Sequence, residues 1–185
     1  METILAPIFE PFQKIPRLKR DCVITEKIDG TNALIKITEE GGFYVGSRTR
    51  WITPEDDNYG FATWAQANKD ELLKLGVGSH YGEWWGPGIQ RRYGVAEKRF
   101  SLFNTARWED PALRPTCCHV VPVIATGCFG DMLVDSAIEK LRTEGSLASP
   151  GFMLPEGIVI YHTASRLLFK KTLLKDEEHK DMRPK

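Results

Sequence analysis

The residues with the most chemical potential in this chain are Glu26-Lys27-Ile28-Asp29-Gly30-Thr31-Asn32. Lys27 closes an apolar run and directly precedes a turn, with a carboxylate two residues on. A lysine amine is a nucleophile only when deprotonated, and at its ordinary pKa of about 10.4 it is almost wholly protonated near neutrality. Covalent chemistry at Lys27 therefore needs a site that depresses that value through partial burial and cationic neighbours. Taken alone, Lys-x-Asp-Gly also describes a solvated turn after a strand.

The residues downstream decide between the two. In order come Ser47-Arg48, Gly82-Glu83-Trp84-Trp85-Gly86-Pro87-Gly88, Phe100-Ser101-Leu102-Phe103, Glu156-Gly157-Ile158-Val159-Ile160 and Phe169-Lys170-Lys171. This order and spacing resembles the covalent nucleotidyltransferases, the superfamily of ATP-dependent ligases and mRNA-capping guanylyltransferases. Within it, the Glu-Lys-Ile-Asp-Gly-Thr-Asn form of the lysine motif, and Gly-Glu followed by Gly-Pro-Gly-Ile-Gln, look most like the RNA ligases that seal nicks in duplex RNA, the T4 RNA ligase 2-like family. The likeness runs from about Lys27 to Thr172.

That resemblance implies an α+β nucleotidyltransferase (adenylyltransferase) domain of mostly antiparallel sheets with flanking helices. It implies an ATP-dependent enzyme that joins RNA 3′-OH and 5′-phosphate ends through a lysyl-AMP intermediate and an adenylylated RNA end. Lys27 would be the nucleophile, with Lys170 beside it as a second catalytic cation. Glu26, Asn32, Arg48, Glu83, Phe103, Glu156 and Lys170 would bind the nucleotide: Glu83 through ribose hydroxyls, Phe103 by stacking on adenine, Arg48 by offering its fork of donors to oxygen pairs. Phe100, on the opposite face of the same strand, is expected in the core, though the two phenylalanines are exchangeable at this level. Glu156 would hold Mg²⁺ (or Mn²⁺), a hard cation that takes one or two carboxylates and keeps several waters. Asp29 is expected to brace the turn. Arg50, Arg91, Arg92 and Lys171 are the candidate RNA contacts.

Two features depart from the family pattern. Thr172 stands where a second lysine of Lys-x-Lys would share a strand face with Lys170, so Lys171 is expected to face away from the site unless a bulge turns it inward. The chain also stops soon after the last motif, where ligases of this type continue into a further domain, and a protein partner replacing that domain is expected. A capping-type enzyme, a DNA ligase and a nucleotide- or RNA-binding module without turnover are the alternatives.

The elements that must position these groups follow from periodicity. Residues 22–25 and 31–38 read as strands, the second alternating Ala33, Ile35 and Ile37 against polar neighbours, and Gly41-Gly42 turns into a third over 43–47, from which Ser47 and Arg48 reach back toward the lysine turn. A helix is expected over 59–75, stopped by Gly76, and another over 131–143, stopped by Gly145. Strands 157–161 and 166–173 are expected to pair antiparallel and to bring Glu156 close to Lys170.

At 185 residues the chain fits one domain over 1–185, with a charged tail from about 175 to 185 expected to fray. Its 25 basic and 25 acidic residues cancel, so any nucleic-acid contact must come from a local patch. Cys22, Cys117, Cys118 and Cys128 form no C-x-x-C pair, and their spacing around His119 is poor for zinc. No run approaches the ~18 apolar residues of a membrane span, so a cytoplasmic protein without a membrane partner is expected.

Overall fold

In the computed structural model, which describes residues 8–174 and Asp176, the expected alternation resolves into two sheets. One contains β1 (Asp21–Lys27), β8 (Val123–Cys128), β9 (Gly157–His162) and β10 (Leu167–Thr172), antiparallel in the order β10-β9-β1-β8. The other contains β2 (Thr31–Ile37), β3 (Phe43–Gly46), β4 (Trp51–Ile52), β5 (Gly78–Trp85), β6 (Arg99–Leu102) and β7 (Cys118–Val120) in the order β4-β3-β2-β5-β6-β7, with only β6–β7 parallel. The architecture is the α+β arrangement of mostly antiparallel sheets that the sequence led us to expect. β4, β7 and β8 are too short or too mixed in composition to stand out by periodicity.

Each sheet buries one face. Cys22 and Ile24 of β1, with Ile158 and Ile160 of β9, pack under α4 (Asp131–Glu144) through its Val134, Ala137, Ile138 and Leu141, a helix stripe of the expected spacing. Gly145, at φ 80°, ends α4 in a backbone conformation that other residues reach only with strain. Ala33, Ile35 and Ile37 of β2 face Phe61, Ala65, Leu72 and Leu75, together with Trp84, Phe100 and Leu102. Burying each such large side chain stabilises the fold by about 1.5–3 kcal/mol.

The expected helix over 59–75 is instead broken into α1 (Phe61–Ala67), α2 (Lys69–Leu72) and a 3₁₀ turn, Leu73–Leu75. The cause is Asn68, whose backbone leaves helical geometry at φ −108°, ψ 19° and whose side-chain amide donates to the Trp64 carbonyl at 2.8 Å. A short polar side chain competes with the helix for backbone groups in this way. A further short helix, α3 (Thr105–Trp108), follows β6, with the Asn104 side chain accepting from the Arg107 amide. The tail over 175–185 lies outside the described residues apart from Asp176, whose carboxylate accepts from the Thr172 amide at 2.7 Å. Among the described residues no helix is long and apolar enough to cross a membrane.

Gly157 pairs with Lys27 on one side and Thr172 on the other, and a Cβ there would stand 2.2 Å from the Lys171 carbonyl oxygen. Gly157→Ala should therefore prise β10 from β9 at a cost of about 1–3 kcal/mol, typical of overpacking. Thermal denaturation is expected to show a midpoint lowered by about 5 °C; an unchanged midpoint would contradict this packing.

Candidate active site

The site lies where the chain leaves one sheet for the other. β1 ends at Lys27, β2 begins at Thr31, and Ile28, Asp29 and Gly30 carry the backbone across. Ile28 anchors the crossing in a small buried cluster with Trp85, Tyr93 and Val121. Gly30 passes so close to β5 that a Cβ would stand 2.4 Å from the Trp84 carbonyl oxygen and 2.8 Å from Trp85 Cβ. Asp29 braces the turn from both ends: its amide donates to the Tyr93 hydroxyl at 2.9 Å, and its carboxylate accepts from Arg91 Nε at 3.0 Å. Arg91 also donates to the Leu154 carbonyl at 3.0 Å. The guanidinium of Arg91, an expected RNA contact, is thus engaged with the lysine turn.

Strand geometry sends Glu26 and Lys27 to opposite faces. Glu26, 1% exposed, turns to the side of α4 and accepts from the Ser146 hydroxyl at 2.6 Å and the amides of Leu147 and Ala148 at 2.8 and 2.9 Å. Burial pushes its carboxyl above the ordinary range, and the three bonds oppose that shift. Lys27 turns to the open face and donates to Glu156 Oε2 at 2.5 Å. The register explains the meeting: Lys27 pairs with Gly157, so Glu156, one residue earlier, falls beside the amine. That hydrogen bond aims the Nζ atom at Glu156, so attack on another centre would require Lys27 to turn away from it.

Glu83, on β5 opposite Asn32, accepts from the Gly30 amide at 3.0 Å and from Asn32 Nδ2 at 3.3 Å. Its carboxyl is pushed up to about 7, chiefly by burial; Lys27 and the Gly30 amide pull it down, whereas Glu156 and Asp29 push it further up. Those neighbours place Lys27, Glu83, Glu156 and Asp29 in one electrostatic locale. Phe103 follows β6, and its amide donates to the Tyr81 carbonyl at 2.9 Å. Phe103 is 42% exposed whereas Phe100 is fully buried, so the two take the faces expected of them.

The remaining expected residues divide. Lys170 pairs with Val159, which pairs with Thr25, so it shares Lys27's face of the sheet. Two strand spacings and two residues separate them, about 12 Å between Cα atoms. The amine hydrogen-bonded to Glu156 is that of Lys27, and β10 lies alongside through the Leu173 amide, which donates to the Glu156 carbonyl at 2.9 Å. Lys171 points to the other face and pairs with Asp135 of α4 at 3.0 Å, in agreement with the strand parity. Arg50 is paired with Asp56, another surface cation already engaged. Arg92 is exposed, in a loop with positive φ. Arg48 sits on the loop joining β3 to β4, beside Leu34, Gly46 and Trp51 rather than at the lysine turn.

Sequence reasoning missed Tyr93 and the loop 146–148. Their only signal is in the fold, since the bonds to Asp29 and Glu26 span 64 and more than 100 residues. Among the described residues no three His, Cys, Asp or Glu side chains stand together as a metal cage. One or two carboxylates at the edge of a cleft nevertheless suit Mg²⁺, which completes its shell with water and phosphate oxygens. Glu156 is placed for that role beside Lys27.

A family model described as RNA ligase matches residues 20–175. Solved structures of Naegleria gruberi RNA ligase are similar in fold. A ligand-free lysine-to-alanine variant has 20% identity and a TM-score of 0.60 over 90% of this chain and 53% of its own. A variant with ATP and Mn has 19% identity and a TM-score of 0.59 over 89% of this chain and 53% of its own. A lysine-to-methionine variant with AMP and Mn has 19% identity and a TM-score of 0.58, again over 89% and 53%. The chain thus spans about half the length of the solved ligases it matches. No curated protein matches its sequence.

The raised Glu83 carboxyl carries a sign. Its stabilising contribution is fully present below pH 4.5, its ordinary value, and is lost as pH rises through about 7. Wild-type protein should lose on the order of 3 kcal/mol between pH 4.5 and 8 that Glu83→Gln retains. Urea denaturation of both at pH 5 and pH 8 reads this, and parallel pH curves would refute the burial-driven shift.

Proposed function

Because the chain belongs to the RNA ligase family, we propose that it joins RNA 3′-OH and 5′-phosphate ends with ATP, carrying AMP on Lys27. The observation that supports this most directly is the placement of the Lys27 amine at the seam of two sheets, against Glu156 and within the field of Glu83. In the first step Lys27 Nζ attacks the α-phosphorus, a phosphorus–nitrogen bond forms, and pyrophosphate leaves. The RNA 5′-phosphate then attacks the same phosphorus and frees the amine. Finally the 3′-hydroxyl displaces AMP and the phosphodiester is made.

Each residue has one task in this reading. Lys27 must part from Glu156, and Lys170, on the same face, is the cation that reaches toward the charge building on phosphate oxygens. Asn32 offers an amide near those oxygens, and Arg48 offers its guanidinium to the incoming phosphate. Glu83 accepts from ribose hydroxyls, and Phe103 presents an exposed ring to adenine. Glu26 binds no ligand through its carboxylate; it holds the loop 146–148 behind the nucleophile. Mg²⁺ or Mn²⁺ held by Glu156 would supply Lewis-acid stabilisation of the phosphate charge.

The substrate we favour is a nicked RNA duplex, on the likeness of the lysine motif and the glycine-flanked Glu83 to nick-sealing ligases. Added grip on the duplex would come from a protein partner or a further segment. A cytoplasmic setting suits the free thiols Cys22, Cys117, Cys118 and Cys128.

Incubation with Mg²⁺ and α-labelled ATP should label the protein covalently, with labelling lost by more than about a thousandfold in Lys27→Ala, as when other nucleophiles are removed. Labelling from GTP instead would indicate a capping-type enzyme, and ATP binding without labelling a module without turnover. Arg91→Ala should lower labelling about tenfold while leaving RNA affinity within twofold, because a charge-assisted bond to the turn is what it loses. A duplex with a 3′-OH/5′-phosphate nick should be sealed faster when ribose ends the acceptor strand; preference for an all-DNA nick would overturn the RNA assignment.

A further inference from the structure

The face of the larger sheet that carries Asn32 and Glu83 continues, away from the lysine, into a surface of which the reaction described above uses Arg48 alone. Along one row of the register Trp51 stands opposite Gly46, Gly46 opposite Leu34, and Leu34 opposite Tyr81. Leu34 lies two residues beyond Asn32 on β2 and so shares its face. Of the five tryptophans in the chain, Trp84, Trp85 and Trp108 are buried and Trp64 is partly buried, whereas Trp51 is 57% exposed. Tyr44 and Tyr81 are 50% and 59% exposed. A lone exposed aromatic needs no explanation, but a cluster of them on one face does.

The Trp51 ring is held in place. A Cβ on Gly46 would meet ring atoms Cε3 and Cζ3 at 3.3 and 3.4 Å, so the indole lies against the glycine. Tyr44 packs on it with ring centroids 5.7 Å apart. Concavities of ≈270 and ≈220 Å³ flank the indole, the first lined by Leu34, Ser47, Arg48 and Thr49, the second by Tyr44, Pro54 and Gln66. Arg50 is neutralised by Asp56, but among the described residues Arg48 has neither an ion-pair nor a hydrogen-bond partner. A supported indole beside an unpaired guanidinium matches a nucleotide, whose base offers a π-face and whose phosphate offers oxygen pairs. From register alone, Trp51 is about 12 Å from Asn32, two strand spacings across and two residues along. That is beyond the nucleotide carried on Lys27 but within reach of its neighbour in a bound strand.

We propose that Trp51, supported by Gly46 and Tyr44 and flanked by Arg48, is a stacking platform for a base of the RNA substrate next to the end being joined. The inference rests on the RNA ligase reading and concerns a step after Lys27 is charged. Stacking is sequence-tolerant, so the platform steadies an RNA end without selecting its sequence.

The test uses the full chain and a nicked RNA duplex with a 5′-phosphate. Because Trp51 is the exposed tryptophan, RNA should protect wild-type fluorescence from acrylamide quenching. Trp51→Ala should weaken RNA binding about tenfold and Trp51→Phe by no more than about twofold, the loss expected for one stacked base. Labelling of Lys27 by ATP without RNA should be unchanged in both variants. Wild-type RNA affinity in Trp51→Ala, in protein that still labels, would overturn the platform and leave the ligase reading intact. Loss of labelling in step with RNA affinity would also overturn it, by placing Trp51 in the ATP site. Protection that grows with protein concentration and ignores RNA would assign the patch to a second copy of the chain, again against the proposal. Failure of wild-type labelling would refute the ligase reading, while RNA binding through Trp51 would still be read directly.

Discussion

The rest of the structure depends on one steric constraint, the passage of the backbone from β1 to β2 through a gap that admits no side chain at Gly30. The crossing is short because β1 and β2 belong to different sheets whose ends meet there. Its tightness pins Lys27 as the last residue of one sheet and Asn32 near the first of the other. The Gly30 amide then has a fixed partner in Glu83, a residue of the second sheet, so the crossing is tied to that sheet close to Lys27. A looser turn would let the amine wander across both cleft walls. Here its reach is limited to one arc that includes Glu156.

The seam gathers Glu26, Asp29, Glu83 and Glu156 close to Lys27, and each carboxylate is managed differently. Glu26 is buried and satisfied by a hydroxyl and two amides, Asp29 by Arg91 and Glu156 by Lys27 itself. Among the described residues Glu83 has hydrogen bonds but no cation within bonding distance, and burial pushes its carboxyl up to about 7. Buried negative charge with too few cations is costly to assemble. Under the proposed function, a cation arriving with the substrate would relieve the charge that the protein leaves uncompensated.

Much of this was legible in the amino-acid order. That Phe100 and Phe103 take opposite faces, the inward set Ala33, Ile35 and Ile37 and the turning away of Lys171 follow from local spacing, whereas which phenylalanine is buried does not. The break at Asn68 was not anticipated, because an asparagine within a regular apolar stripe is equally compatible with an unbroken helix whose polar face it occupies. The partners of Arg91 and Arg50 were not legible, because a cation's sequence neighbourhood does not reveal its partner. Asp29 lies 62 residues from Arg91, and the path between them runs through β2 to β5 and the helices α1 and α2.

What the sequence determined by itself is therefore the identity and order of the reactive groups and the side of each strand on which they stand, because alternation is a property of the extended backbone. What only the tertiary structure decided is which of those groups touch: Lys27 with Glu156 across 129 residues, Glu83 with the crossing, Glu26 with a distant loop, and Trp51 laid on Gly46. Those contacts arise from sheet register and packing, in which every residue between the partners takes part, and no local pattern encodes them.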